Sequence, residues 1–242
     1  MLLKADLHIH SCYSRQSFNT ALGKAYAKVA VDSHNTIEQI LSVAHERGLD
    51  LVSITDHDSF DAVLHAYSLA QRYGIIVLPG IEITTTEGHL LAYGIREIIP
   101  PHLDIRQTVG LIRAQGGIAV PAHPFAPGGI FFMGRNKNLL WSNLFDGLEI
   151  FSIMGGVSQR ALQTARQFNL AALASTDSKT TTTIGHVYTQ IDADALDSRS
   201  IIDTIRQRRT TPVVAGHRSR LFIISDFFKT NYLHLPAKQL VA

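Results

Sequence analysis

The sequence has little of several residue types, and each shortage narrows the class of protein. Its 242 residues include one cysteine, Cys12, so no internal disulfide is possible and we expect a reducing compartment, the cytoplasm. No apolar run approaches the roughly 20 residues of a membrane-spanning helix, and the N-terminus lacks a signal-peptide pattern, so no membrane partner is expected. The formal net charge is +2 without a long basic run, so nucleic-acid binding through a charged tail is not indicated.

Short apolar runs alternate with amphipathic stretches along most of the chain. We predict strands at residues 2–9, 51–54, 75–78, 90–93, 118–121, 147–151, 171–174 and 212–214. We predict helices at residues 37–47, 60–73, 105–115, 158–168 and 197–209. Strands that alternate with helices of this length are typical of parallel β/α units. We therefore expect one α/β domain over residues 1–242, with the motif-bearing part at 1–185 and a closing strand and helix at 186–242.

Residue types that bind metals end or follow many of these apolar runs. The clusters are Asp6-Leu7-His8-Ile9-His10, Thr55-Asp56-His57-Asp58, Gly80-Ile81-Glu82, His89, Ala122-His123-Pro124 and Ser175-Thr176-Asp177. His8 and His10 are two residues apart, so on an extended strand their side chains leave the same face. Neutral imidazole nitrogens and carboxylate oxygens are ligands of divalent transition metals. Strand ends that bring such side chains to one place predict a metal site.

In this order and spacing, from residue 6 to about residue 185, the clusters resemble those of the PHP (polymerase and histidinol phosphatase) superfamily of metal-dependent phosphoesterases. Any one cluster would be weak evidence, whereas six in order are strong. The resemblance implies an α/β fold, a distorted (β/α)7 barrel with the metal site at the C-terminal ends of the strands. It also implies hydrolysis of phosphomonoesters or phosphodiesters by a metal-bound hydroxide.

The resemblance also implies roles for single residues. It implies six metal ligands, which are His8, His10, Glu82, His89, His123 and Asp177. Glu82 would bridge two ions, because one carboxylate offers two oxygens. His57 corresponds to a ligand of a third ion in relatives that have three, and could act as a general acid or bind substrate. Asp6 and Asp56 resemble carboxylates that orient neighbouring imidazoles, and Glu149, at a predicted strand end, could act in the same way.

The sequence departs from its relatives at the third ion. Relatives usually have an acid a few residues after the first histidine pair, whereas this chain has none before residue 18. Relatives also end the last motif with Asp-x-His, whereas this chain has Lys179 in place of that histidine. His57 would then be the only protein ligand of a third ion. We therefore expect two ions, with Lys179 and Arg15 supplying positive charge in place of the third.

The sequence favours a metal-dependent phosphoric ester hydrolase that contains two divalent ions, Zn, Mn or Fe, since a histidine-rich site disfavours Mg alone. Its substrate would be a small phosphomonoester, a nucleoside phosphate or a short oligonucleotide end. Cations in two further segments are candidates to bind it; they are Arg135, Lys137, His217 and Arg218. Two alternatives stay open: a metal-binding PHP-like protein with impaired catalysis, and an amidohydrolase-type hydrolase.

Overall fold

The structure, a computed structural model, describes residues 1–14, 32–125, 144–152 and 156–214, with residues 152, 156 and 157 described by their backbone alone. The strands are β1 Leu2–Ile9, β2 Leu51–Ile54, β3 Ile76–Val77, β4 Gly80–Thr84, β5 His89–Tyr93, β6 Ile118–Pro121, β7 Gly147–Glu149, β8 Phe151–Ser152, β9 Gly156–Val157, β10 Ala171–Leu173, β11 Val187–Asp192 and β12 Thr210–Val214. The helices are α1 Ile37–Glu46, α2 Asp61–Tyr73, α3 Ile105–Ala114, α4 Gln159–Gln167 and α5 Ser198–Arg206. The five predicted helices are confirmed to within three residues at either end.

The strands of the described ranges form four hydrogen-bonded sheets in a mixed α/β fold. Five strands lie in the order β12-β11-β1-β2-β3, three in the order β4-β5-β6, and two pairs are β10-β7 and β8-β9. β1 is parallel to β2, β2 to β3, and β7 to β10. Within these ranges the ladders do not close into one barrel, so the predicted (β/α)7 barrel is not established by hydrogen bonding.

Two parts of the fold depart from the predicted parallel β/α units. β1 and β12 both pair antiparallel with β11, and β5 pairs antiparallel with both β4 and β6. The physical reason is clearest between β4 and β5, where only residues 85–88 connect the strands. A connection this short allows a hairpin, whereas parallel neighbours need a crossover of a dozen residues or more. Strands β4 and β11 were not among the predicted runs.

The first helix shows how local sequence sets an element boundary. The Thr36 side chain accepts a hydrogen bond from the Gln39 N–H at 3.2 Å, and the Gln39 side chain accepts one from the Thr36 N–H at 2.9 Å. This capping box satisfies N–H groups that have no partner in the first turn. The buried face of the helix repeats at spacings of three and four, with Ile37, Ile40, Leu41 and Ala44.

Strand β1 positions the first histidines. Its alternation turns Leu3, Ala5 and Leu7 into one hydrophobic cluster, where they meet residues of β6, β10 and α5. His8 and His10 leave the opposite face and are fully buried. The pairing of β1 with β2 shifts register between residues 6 and 9, a bulge of the kind that redirects side chains next to functional sites. None of the helices in the described ranges is long and apolar enough to cross a membrane.

Candidate metal centre

Four candidate ligand atoms lie close together, and one of them is an oxygen of Glu82. Its Oε2 atom lies 3.2 Å from His8 Nε2 and 3.3 Å from His10 Nε2, and these two nitrogens are 3.1 Å apart. Asp177 Oδ1 lies 3.0 Å from His10 Nε2 and 3.5 Å from His8 Nε2. Ligands bonded to one tetrahedral zinc ion are separated by about 3.3 Å, given Zn–N bonds of about 2.05 Å. His8, His10 and Glu82 therefore have the spacing of ligands to a single divalent ion, and Asp177 lies within 3.5 Å of both rings; we call these four residues the first ligand set.

The other oxygen of Glu82 faces a second group of rings. Glu82 Oε1 is 3.1 Å from His89 Nδ1 and 3.3 Å from His123 Nε2. The antiparallel β4–β5 hairpin places His89 opposite Thr84, two residues beyond Glu82. His123 follows β6, which pairs with β5, so both rings arrive at the same end of one sheet. Glu82, His89 and His123 form the second ligand set, and the carboxylate of Glu82 joins it to the first.

Burial and mutual charge set the protonation of this centre. Burial alone would raise the pKa of Glu82, but nearby rings, His57 first among them, hold it well below its usual value. Burial would likewise lower the pKa of His8, but the charges of Glu149, Glu82 and Asp177 raise it to about 10. His57, whose Nε2 is 3.3 Å from Glu82 Oε2, differs: burial dominates and lowers its pKa to about 3. The anionic oxygens of this buried cluster favour a bound cation.

Glu149, at the end of β7, contacts one histidine of each ligand set. Its Oε1 atom is 3.1 Å from His8 Nδ1 and accepts a hydrogen bond from Ser175 Oγ at 3.1 Å. Its Oε2 atom accepts a hydrogen bond from the backbone N–H of His123 at 2.7 Å. A carboxylate on Nδ1 fixes a ring so that Nε2 faces the ion. Glu149 therefore contacts a residue of each ligand set.

Lys179 and two carboxylates form a second charged cluster beside the first ligand set. Lys179 Nζ donates to Asp177 Oδ1 at 2.7 Å and lies 3.8 Å from Asp32 Oδ1. Asp32 Oδ2 is 3.0 Å from His10 Nδ1. Burial would lower the pKa of Lys179, but these carboxylates raise it far above its usual value, so it is a fixed cation. Asp32 also supplies an acid that the sequence motifs did not include, and its ligand atom lies within 4.8 Å of those of His10 and His57, so His57 is not the only candidate ligand on this side of the centre.

Asp6 and Asp56 contact backbone segments, which differs from the expectation that they orient imidazoles. Asp6 accepts hydrogen bonds from the Thr176 N–H at 3.1 Å, the Thr176 hydroxyl at 2.7 Å and the Gly185 N–H at 2.9 Å. Asp56 accepts from the N–H and hydroxyl of Ser11. Burial raises the pKa of each aspartate to about 6. Both therefore fix the chain next to a ligand: Asp6 the turn before Asp177, and Asp56 the residue after His10.

Three non-glycine residues at the centre have a positive φ. The values are 48° for Asp58, 29° for His123 and 49° for Asp177. Asp58 is held by its N–H, which donates to the Glu82 carbonyl at 3.0 Å, and by its carboxylate, which accepts two hydrogen bonds from Thr84 at 2.8 Å. Strain of this kind at a turn persists where the surroundings over-determine the backbone, and it often marks functional sites.

The structure brings together His8, His10, His57, Glu82, His89, His123, Asp177 and Lys179. Five other predicted site residues lie outside the described ranges, namely Arg15, Arg135, Lys137, His217 and Arg218. Sequence reasoning missed Asp32, because it follows His10 by 22 residues and belongs to no motif. The only signal was the length of the segment between β1 and α1, since a long loop next to a site histidine is a place for functional residues.

Comparisons with known proteins place the chain in a family. A family model described as PHP domain matches residues 6–115, and one described as PHP-associated matches residues 158–210. An uncharacterized protein of Methanocaldococcus jannaschii is 37% identical over 150 residues, which are 62% of this chain and 82% of that protein. The phosphoribosyl 1,2-cyclic phosphate 1,2-diphosphodiesterase of Eggerthella lenta is 30% identical over 101 residues, which are 39% of this chain and 32% of that protein.

A solved structure shows the same fold. It is a two-domain protein from Bacteroides vulgatus, described as containing a predicted PHP-like metal-dependent phosphoesterase. The two structures superpose with a TM-score of 0.70 at 18% sequence identity, and the superposition covers 95% of this chain and 70% of the Bacteroides chain. Both family models match in chain order, and the archaeal relative is similar over most of its own length. This chain is therefore a member of the PHP domain family.

Proposed function

We propose that the chain hydrolyses phosphoric esters with two divalent ions that share Glu82. The observation that carries the proposal is the first ligand set, in which the Nε2 atoms of His8 and His10 and one oxygen of Glu82 lie within 3.3 Å of one another and Asp177 lies within 3.5 Å of both nitrogens. The second ligand set meets the other oxygen of the same carboxylate. When bound, two such ions supply an activated water and a clamp for phosphoryl oxygens. Zn, Mn or Fe suit this donor set, since imidazole nitrogens outnumber carboxylates.

The exposure of the side chains indicates from which side a substrate would approach. His8 and His10 are 0% exposed, whereas the side chains of His89, His123 and Asp177 are 12%, 17% and 16% exposed. The side chain of Lys179, which donates to Asp177 at 2.7 Å, is 10% exposed. A phosphoryl group that entered beside Asp177 would meet this lysine. This arrangement supports a small phosphorylated substrate or the end of a nucleic acid as the partner.

We propose that Lys179 takes the place of a third ion. Its ammonium is a point charge that binds a phosphoryl oxygen but cannot activate water. Arg15, outside the described residues, is proposed to assist it. His57 is proposed to bind an ion or donate a hydrogen bond, since a ring whose pKa is lowered to about 3 carries no second proton to transfer at neutral pH.

We also propose that the strands complete a distorted barrel around this centre. β2 lies against β4, β6 against β7, and β10 against β12. Together with the hydrogen-bonded pairs, the order β1-β2-β4-β5-β6-β7-β10-β12-β11 returns to β1. Such a ring would direct the ends of several strands toward one mouth, as in other β/α barrels.

The test is hydrolysis by metal-stripped protein reloaded separately with Mn²⁺ and Zn²⁺, measured as phosphate release from monoesters and as chromatographic separation of the monoester products of diesters. The substrates are phosphomonoesters, nucleoside phosphates, a five-membered cyclic phosphodiester and short oligonucleotides; the cyclic ester is included because one relative is a cyclic phosphate diesterase. We expect metal-dependent turnover that Glu82→Gln abolishes and that Glu46→Gln, on the exposed end of α1, leaves unchanged. Silence across the panel with two ions bound would contradict the proposal and favour an impaired metal-binding protein or an amide hydrolase.

A further inference from the structure

Asp32 is a buried carboxylate that the sequence motifs do not account for. It is 1% exposed and lies just before α1, beside the metal centre. Its Oδ2 atom accepts a hydrogen bond from Ser14 Oγ at 2.8 Å and is 3.0 Å from His10 Nδ1. Its Oδ1 atom has no hydrogen-bond partner among the described residues, although it is buried. A buried carboxylate oxygen without a donor is costly unless a charge compensates it.

The compensating charge is the ammonium of Lys179. Its Nζ atom is 3.8 Å from Asp32 Oδ1 and 2.7 Å from Asp177 Oδ1, so the ammonium lies between two carboxylates. Asp177 Oδ1 is also within 3.5 Å of two imidazole nitrogens of the first ligand set. Asp177 therefore has competing partners, whereas the ion pair that the described residues form with Oδ1 of Asp32 is the one with Lys179. Asp32 is the carboxylate that remains available to hold the lysine.

The segment that carries Asp32 is fixed to both sides of the centre. Ser33 Oγ lies 2.9 Å from the carbonyl oxygen of His10 and 3.1 Å from that of Lys179. The Asn35 side-chain amide donates to the same His10 carbonyl at 3.2 Å. These contacts join residues 32–35 to the end of β1 and to the turn after Asp177. Asp32 is thus preset in its position rather than drawn there by the lysine.

We propose that Asp32 is a positioning residue that holds the Lys179 ammonium beside Asp177, where it binds a phosphoryl oxygen, and that fixes the ring of His10. The inference deepens the proposed function and rests on the role given there to Lys179. A purely structural Asp32 would affect folding and metal content but would act independently of Lys179. Once the metal sites are saturated, so that its effect on His10 is removed from the comparison, a positioning Asp32 acts on phosphate through Lys179, and the two residues must be coupled.

The experiment measures the affinity of inorganic phosphate by calorimetry at saturating Mn²⁺, with metal content verified by elemental analysis. The variants are Asp32→Asn, Lys179→Met and the double variant. We expect each single change to weaken phosphate binding roughly tenfold, the scale of one hydrogen bond to a charged group. The double variant should bind as Lys179→Met does. The inference is overturned if the two losses multiply, if Asp32→Asn binds phosphate as the unaltered protein does, or if the unaltered protein binds no phosphate.

Asp203→Asn is the matched control, since it removes an aspartate from an exposed ion pair with Arg206 on α5, at 3.0 Å. It should leave phosphate affinity unchanged.

Should Asp32→Asn fail to fold, Ser33→Ala is the substitute, because it loosens the segment and keeps the carboxylate. Ser33→Ala should weaken phosphate binding a few-fold, and unaltered affinity would overturn the inference. Phosphate binding needs no turnover. If the two losses of phosphate affinity are coupled but the protein has no esterase activity, the proposed function is rejected and this inference is kept. If the protein is an active esterase but the two losses are not coupled, the proposed function is kept and this inference is rejected.

Discussion

Glu149 Oε1 lies 3.1 Å from Nδ1 of His8, while the opposite nitrogen of the same ring faces Glu82. The ring is therefore held between a carboxylate outside the first ligand set and a carboxylate inside it. Such an arrangement fixes the tautomer and makes the imidazole a stronger ligand. Glu149 also accepts a hydrogen bond from the backbone N–H of His123, so this one side chain contacts both ligand sets.

Glu149→Gln is expected to weaken metal binding. A glutamine can present its amide NH₂ to Nδ1, which turns the ring or removes the negative charge that supports it. Loss of such an outer carboxylate typically costs about 10- to 100-fold in metal affinity. The measurement is competition with a chelator for Zn²⁺ at pH 10.5, above the raised pKa of His8, where the protonation of this ring contributes little to the difference. Glu46→Gln is the control, and equal affinities of the two variants would contradict the role of Glu149.

Metal binding is expected to depend on pH through His8. In the metal-free protein its pKa is raised to about 10, so the ring carries two protons at neutral pH, and one must leave before Nε2 binds an ion. Apparent affinity should therefore rise about tenfold per pH unit below pH 10 for this one proton and then level off. Calorimetry in two buffers of different ionisation enthalpy measures the proton release. Release that is absent at pH 7 would show that His8 is already neutral.

Lys179→His is expected to raise metal stoichiometry from two ions towards three. The sequence alone calls for two changes, a histidine at 179 and an acid at position 15 or 16. The structure already supplies the acid, because Asp32, His10 and His57 offer ligand atoms within 4.8 Å of one another. A histidine at 179 would add a donor to Asp32 and His57. Elemental analysis checks the count, and Lys179→Met, which adds no donor, should stay at two; equal counts in both variants would refute this account.

The residues of the centre differ in how far sequence predicts them. His8 and His10 are predictable because strand alternation places them on one face, and the six motif clusters are short, local patterns. Asp32 and the antiparallel pairing of β11 with β1 are not predictable in this way. Pairing direction depends on where the chain returns in space, and the place of Asp32 depends on contacts of residues 32–35 with two distant segments. Local patterns identify ligands, whereas tertiary contacts decide what surrounds them.

Gly80→Ala is expected to destabilise the strand that carries Glu82. A Cβ at residue 80 would lie 2.3 Å from Ser53 Oγ, 3.0 Å from Thr55 Cγ2 and 3.1 Å from Tyr93 Cδ1, all of them buried residues. Overpacking of this kind costs about 1–3 kcal/mol in the free energy of unfolding. β4 would have to move to relieve it, and Glu82 would move away from both ligand sets. We therefore expect a lower urea midpoint together with weaker metal binding.

Gly110→Ala provides the matched control for that prediction. Gly110 lies inside α3, and a Cβ there meets nothing within 4 Å. The same chemical change should stabilise the protein by about 0.5–1 kcal/mol, because alanine loses less backbone entropy than glycine in a helix. Metal affinity should not change. If both variants lowered the urea midpoint equally, the close approach at Gly80 would not be the cause, and β4 would tolerate a side chain beside Ser53.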